Sequence, residues 1–481
     1  MKKSIKKNYM YNLIYQILVI ILPLITTPYL SRVLGAEGIG IYSYTLSITT
    51  YFILFGSLGV AMYGQREIAY YQDDYYKRSK TFFEILIMRF ITLGISIGIF
   101  YISFCTKGEY QFYYKILLLE IIANSVDISW FFQGMEEFKK TVIRNIGIKL
   151  ISVVLIFIFI KRPTDLYKYI LIYGISNLLG NLSLWIYLPK YIKKIKFKKL
   201  KIIKHLKPMV SLFIPQVAIQ IYTVLDKTMI GAIVCDKSEV GFYEQAQKMV
   251  KLLLTIATSL GVVMVPRMAN TFAKGENEKI KEYMKQSFSF VLFLVFPIMF
   301  GIISISNKFV PIFYGEGYDK VIYIINIISP IILAIGVSNV IGTQYLLPTK
   351  QQKKFTVSVS VGAIVNIVLN MILIKRFNSI GAAIATVIAE FVVTGIQIFS
   401  IRENIKFKEI YDIGKKYCLA GLIMLLISII VNNIINDNFI SIVVQVIIGM
   451  LSYIGILLII KDKFICNVIK NIKGKFLEEL K

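Results

Sequence analysis

Glu244, Lys248, Lys251, Thr255 and Ser259 recur every three to four residues through an otherwise apolar stretch. That interval puts them on one face of an α-helix. Glu244 precedes Lys248 by four residues, the favourable order for an ion pair on a helix, and the two lysines make the face a candidate contact for an anionic group. Asp226 and Lys227 fall at a similar depth on the preceding apolar stretch. A second set lies nearer the N-terminus: Glu120, Asn124 and Asp127 form one stripe, with Arg89 and Lys149 on neighbouring stretches and Glu84 and Glu390 elsewhere in apolar runs. Ionisable groups in such surroundings are costly, so each is a functional candidate unless a structural partner neutralises it. Lys248, Lys251, Lys227, Asp226, Arg89 and Glu244 are the candidates for binding an anionic substrate. Asp127, Glu120 and Glu390 are the candidates for coupling to an ion. The plainer alternative for the N-terminal set is a cluster of ion pairs that fixes packing, and interior acids and bases nearly balance, so the residues alone do not define a strongly cationic cavity. No metal ligand set or Ser-His-Asp triad can be assembled, because His205 is the sole histidine and Cys105, Cys235, Cys418 and Cys466 are scattered. No cofactor is expected.

The elements that carry these residues must be membrane helices. In 481 residues, 56% are hydrophobic and only 17% are charged, which is more apolar than a soluble chain of this length needs to be. About 20 apolar residues cross a bilayer, and cutting at polar loops gives runs near 9–31, 39–63, 81–104, 112–133, 141–160, 166–188, 209–234, 240–264, 284–306, 320–346, 355–374, 379–400, 415–434 and 439–460. Those fourteen runs place Lys251 near mid-membrane, where a long side chain cannot readily reach water. The net charge of +27 sits in short loops between the runs, so it reads as membrane topology and no nucleic-acid partner is expected. Lys and Arg concentrate on one side, which predicts that both termini are cytoplasmic. The lysines at the N-terminus lead into a retained first helix rather than a cleaved signal peptide. The outward connections are short and leave no room for an outer catalytic domain.

The chain also repeats itself. EGIGIYSYTLSITTYFILFGSLGVAMYGQREIA aligns with SEVGFYEQAQKMVKLLLTIATSLGVVMVPRMAN, matching Gly40 and Tyr42 to Gly241 and Tyr243, Ser57–Val60 to Ser259–Val262, and Arg66 to Arg267. Both segments hold the same place in a six-helix block, so the repeat is parallel, as in transporters that rock one lobe against another around a site at their interface. The expected organisation is a lobe at 1–188, a basic cytoplasmic linker at 189–208, a second lobe at 209–400, and two further helices with a basic cytoplasmic tail at 401–481. The linker carries nine lysines from Lys190 to Lys207, interleaved with Ile, Phe and Leu. It reads either as a surface-lying amphipathic helix or as a loop obeying the charge rule. Pro23, Pro28, Pro215, Pro297 and Pro330 interrupt spans.

Five segments, RVLGAEGIGIYSYTLSI, DISWFFQGMEEFKK, LDKTMIGAIVCDKSEVGFYEQAQKMVKLL, VPRMANTFAKGE and QYLLPTKQQKK, resemble the oligosaccharide (Wzx-type) flippase family of the multidrug/oligosaccharidyl-lipid/polysaccharide exporter superfamily. The resemblance implies an all-α polytopic fold in which two six-helix lobes form a V. It implies alternating access and transfer of a sugar on polyprenyl pyrophosphate, usually undecaprenyl, to the outer leaflet of a bacterial cell membrane for surface polysaccharide biosynthesis. In that family charges facing the lumen meet the headgroup, which here would fall on Asp226, Lys227, Lys248, Lys251, Asp127 and Arg89. Membrane lipids and a glycan polymerase or glycosyltransferases of the same pathway would be its partners. A peptidoglycan-precursor flippase shares the architecture and is the alternative. A cation or drug exporter of the superfamily normally has twelve helices, and a glycan polymerase or ligase normally needs a large outer loop.

Overall fold

The computed structural model describes residues 5–403, 405, 407–462 and 464–466; most of the expected basic tail lies outside the described residues. Packing divides the chain into Met1–Gly241 and Phe242–Lys481. The first unit contains α1 (Ile5–Ser57), α2 (Val60–Tyr70), α3 (Tyr75–Phe100), α4 (Gln111–Ser125), α5 (Ser129–Gly134), α6 (Phe138–Phe159), α7 (Leu166–Ser183) and α8 (Leu206–Ile233). Then come α9 (Ser238–Thr258), which straddles the boundary, and α10 (Gly261–Ala273), α11 (Asn277–Tyr314), α12 (Asp319–Ile328), α13 (Ile331–Ser338), α14 (Gln352–Ser400), α15 (Phe407–Ile434) and α16 (Asn438–Ile459).

Among the described residues, ten helical stretches are long and apolar enough to cross a bilayer. Two of them, Ile17–Tyr70 and Gln352–Ser400, are helices joined across a kink, at Gly35 (φ 70°) and Asn378 (φ 52°), so each crosses twice. Those backbone angles suit Gly and Asn, not the prolines of α1. The helices α8 and α9, of 28 and 21 residues, supply the remaining crossings; Glu239, Glu244, Lys248 and Lys251 lower the hydropathy of α9. The all-α polytopic fold with about fourteen crossings is thereby borne out.

The boundaries of four spans need correction. Runs 39–63 and 240–264 do not continue through their shared Ser-Leu-Gly-Val: α1 ends at Ser57 and α9 at Thr258, and the chain turns into the short helices α2 and α10. At the first break Leu58 and Gly59 both have positive φ, 42° and 72°. Run 112–133 breaks at 126–128 before α5, and run 320–346 breaks at Ser329–Pro330 and becomes π-helical over Asn339–Leu346. In each unit the broken parts meet. Helix α2 packs on α5, around Trp130, Phe131 and Phe82, and α10 packs on the π-helical segment. The duplication seen in sequence therefore extends to how each copy ends its helices.

Of the two forms open to it, the linker at 189–208 takes the one that is not an α-helix. It contains short 3-10 turns at Leu188–Lys190, Phe197–Lys199 and Ile203–His205, with no α-helix until α8. Ile192 and Ile202 pack on the core of the first unit, beside Leu188 and Met209.

Candidate functional site

Helix α9 has two unlike faces. Tyr243, Ala246, Val250 and Ala257 are fully buried, whereas Glu244, Lys248 and Lys251 are half-buried and Thr255 and Ser259 exposed. The buried face is fixed by polar contacts within the second unit. The Tyr243 hydroxyl lies 3.0 Å from Thr386 Oγ1 of α14 and accepts from Gln247 Nε2 at 3.1 Å, and Tyr314 of α11 donates to the Gln245 carbonyl at 3.0 Å. Anchored in this way, α9 cannot rotate its lysine stripe inward. A lysine directed at lipid tails is strongly disfavoured, so such a stripe is tolerated only where protein partners, water or an anionic ligand meet it.

In the first unit, α8 lies along the second half of α1. Thr228 donates to Ser47 Oγ at 2.8 Å and to the Tyr51 hydroxyl at 3.2 Å. Asp226 is buried and Lys227 half-buried immediately before Thr228. At the end of this seam the repeat-related glycines meet backbone to backbone. A Cβ on Gly40 would fall 1.7 Å from the Lys237 carbonyl oxygen, and one on Gly241 would fall 2.0 Å from that of Ala36. No other residue permits that approach. Lys237 closes the end of α8 by donating to the carbonyls of Gly231 (2.7 Å) and Val234 (2.9 Å).

The remaining N-terminal candidates hold helices to one another. Arg89 is 3% exposed and donates through Nε and Nη2 to the Asn124 carbonyl, at 2.9 and 2.5 Å. The guanidinium joins the Asp127 N–H (3.3 Å) on that carbonyl and places a cation at the C-terminus of α4, where the helix dipole favours it. Asp127 accepts from the Ser129 backbone N–H at 2.9 Å at the start of α5 and sits 4.0 Å from Arg144. Glu120 accepts from the Asn177 amide at 3.1 Å through both oxygens. Glu390 is half-buried on α14, and its backbone carbonyl accepts from Thr394 at 2.8 Å. Arg89 and Asp127 thus meet at the α4–α5 break, Glu120 stands apart from them on α4, bound to Asn177 of α7, and Lys149 is half-buried on α6.

Sequence reasoning set His205 aside and left Glu84 without a role, yet they form the most connected buried polar group of the first unit's described residues. Glu84, fully buried on α3, accepts from the Lys201 backbone N–H (2.7 Å) and from His205 Nε2 (2.9 Å), and Lys204 lies 2.7 Å from it. Tyr63 donates to His205 Nδ1 at 2.6 Å. Burial pushes the imidazole below its ordinary pKa against the pull of the Glu84 hydrogen bond, consistent with a neutral ring that donates at Nε2 and accepts at Nδ1. A hydrogen bond to a buried charged group such as Glu84 typically contributes about 1.5–3 kcal/mol. Only the lysine-rich context of the histidine hinted at a carboxylate partner in the sequence.

With the geometry described, the comparisons with known proteins can be placed beside it. The family described as "Polysaccharide biosynthesis protein" matches residues 5–272, and that described as "Lipid II flippase MurJ" matches residues 141–448. A relative from Escherichia coli (strain K12), described as "Putative O-antigen transporter", is 25% identical over 417 residues, covering 84% of this chain and 98% of that protein. A "Probable low-salt glycan biosynthesis flippase Agl15" from Haloferax volcanii is 25% identical over 239 residues, 50% of each chain. Among solved structures, the lipid II flippase MurJ in an inward closed conformation superposes with a TM-score of 0.74 at 18% identity, covering 95% of this chain and all of that one; this likeness concerns the fold.

Proposed function

The chain belongs to the polysaccharide biosynthesis protein family, and from that premise we propose that it moves a lipid-linked oligosaccharide from the cytoplasmic to the outer leaflet of the cell membrane. It is a transporter, not an enzyme, as are its relatives. The carrier lipid is a polyprenyl pyrophosphate, undecaprenyl in a bacterium, and the product feeds a surface polysaccharide through the glycosyltransferases or polymerase of the same pathway. The observation that carries this reading is the lysine stripe of α9: half-exposed on a helix whose opposite face is locked by Tyr243 and Tyr314. Lys248 and Lys251 receive the pyrophosphate, and Lys227, Asp226, Glu244 and Arg89 are further candidates for contact with the substrate. The repeat-related lobes 1–188 and 209–400 move relative to one another so that the site opens to each side in turn, and residues 401–481 form the appended pair and tail. Ion coupling falls to Glu120, Asp127 and Glu390. Glu120 is suited to this because its side-chain partner is a neutral amide, so it can take a proton without breaking an ion pair.

A second reading, a peptidoglycan-precursor flippase, is favoured by the match to residues 141–448. Both substrates are anionic lipids bearing sugar and differ in the glycan. Cells lacking the chain should accumulate the lipid-linked glycan on the cytoplasmic side and lose its surface polymer. Accumulation of the peptidoglycan precursor instead would favour the second reading, and accumulation of neither would remove both.

Orientation has its own test. An impermeant thiol reagent should reach the exposed native Cys235, and cysteines placed at Glu109 and Asn436, from outside intact cells. A cysteine at Lys199 should react only after permeabilisation, and reaction there in intact cells would reverse the proposed topology.

A further inference from the structure

We propose that segment 190–207 is a fixed basic contact for the anionic lipid headgroups of the leaflet beside it, held in place by the Glu84–His205 anchor. Its chemistry is one-sided: nine lysines and no acidic residue over that span. Its geometry makes the charge usable. Near one end Arg78 donates to the Tyr191 carbonyl at 3.0 and 2.7 Å, and the Lys193 backbone N–H donates to Ser79 Oγ at 2.9 Å. At the other end the Lys201 backbone N–H and His205 are held by Glu84. Between these anchors the chain is a 3-10 turn and irregular backbone, so Ile192 and Ile202 reach the core while Lys193, Lys194, Lys196, Lys198, Lys199 and Lys201 are exposed. An amphipathic helix would confine its lysines to an arc. A strap pinned in this form presents them together, and little backbone freedom remains to be lost on binding.

Two strongly exposed apolar side chains lie in or next to the strap in sequence. Ile203 is 81% exposed and Ile186, just before the strap, 76%. Apolar tips among lysines fit a membrane interface, where the tips enter the boundary region and the ammonium groups meet phosphates. Lys204 is shared, since its ammonium contacts buried Glu84 while its side chain stays 48% exposed. A loop that merely obeyed the topology rule would need neither the buried anchors nor the exposed isoleucines.

The test uses the full chain in nanodiscs of phosphatidylcholine with or without phosphatidylglycerol, and reads the thermal midpoint. A ligand that binds only the folded state raises that midpoint. Phosphatidylglycerol should raise it for the wild type, and high salt should suppress the rise. In the variant Lys194→Gln, Lys196→Gln, Lys198→Gln, Lys199→Gln, whose changes are confined to exposed side chains, the rise should fall by at least half. Glu84→Gln, which keeps every lysine but loosens the anchor, should reduce the rise and open the strap to trypsin. An equal rise in the wild type and the four-lysine variant, or no rise in the wild type, would overturn the proposal whatever glycan the protein carries.

Discussion

Replacing Lys248 or Lys251 by alanine is expected to leave the protein folded in the membrane while lowering glycan export roughly tenfold or more. A hydrogen bond to a charged group contributes about 1.5–3 kcal/mol, and attraction to a pyrophosphate is stronger in a cavity less screened than bulk water. Folding should survive because both lysines lie on the half-exposed face of α9, whereas the packing of that helix depends on Tyr243, Ala246, Val250 and Ala257. Arginine at either position should retain part of the activity, since charge matters more there than shape. The competing account, in which Glu244 and Lys248 only brace the helix by an i,i+4 pair, makes a different forecast. Exchanging the two residues would then restore full export, and that result would remove the headgroup role. The measurement is outer-surface glycan per unit of membrane-inserted protein.

The second large effect concerns the seam between α1 and α8. Ser47 and Thr228 hold their hydroxyl oxygens 2.8 Å apart, so cysteines at both positions are placed to form a disulfide. In a background without Cys105, Cys235, Cys418 and Cys466, oxidation of this pair should nearly abolish export, and reduction should restore it. The reasoning is mechanical: the second half of α1 belongs to lobe 1–188 and α8 to lobe 209–400, alternating access requires the two lobes to move against each other, and a covalent link across the seam forbids it. Full export by the oxidised protein, with the link verified by mass spectrometry, would show that this seam never opens.

Much of the fold was legible because bilayer crossing is written in composition. Runs of about 20 apolar residues located the crossings, and the paired Ser-Leu-Gly-Val segments located the duplication before any coordinates. The turns at those segments were not legible. Leu58 and Gly59 are as apolar as a continuing helix, so hydropathy passes over a change of direction that positive φ imposes. The same blindness merged α4 with α5. The form of the linker was undecidable locally, because it depends on Glu84, more than a hundred residues before Lys201 and His205 in sequence. For the candidate site, spacing alone identified the α9 stripe, and the structure adds the locked opposite face. Arg89 illustrates the limit of charge counting. Its guanidinium goes to a backbone carbonyl in the last turn of α4, a partner that no list of acidic residues contains.

The most direct test of transport is reconstitution. Purified protein in liposomes, supplied with a polyprenyl-pyrophosphate-linked oligosaccharide in both leaflets, should render the inner pool accessible to an externally added glycan-cleaving enzyme, with the lipid-sugar linkage intact until that enzyme acts. Protein-free liposomes should protect roughly half of the substrate, the inner-leaflet share, and the Lys248→Ala, Lys251→Ala variant should remain close to that level. Protection by the wild type equal to that of empty liposomes, or cleavage of the substrate by the purified protein itself, would contradict the account.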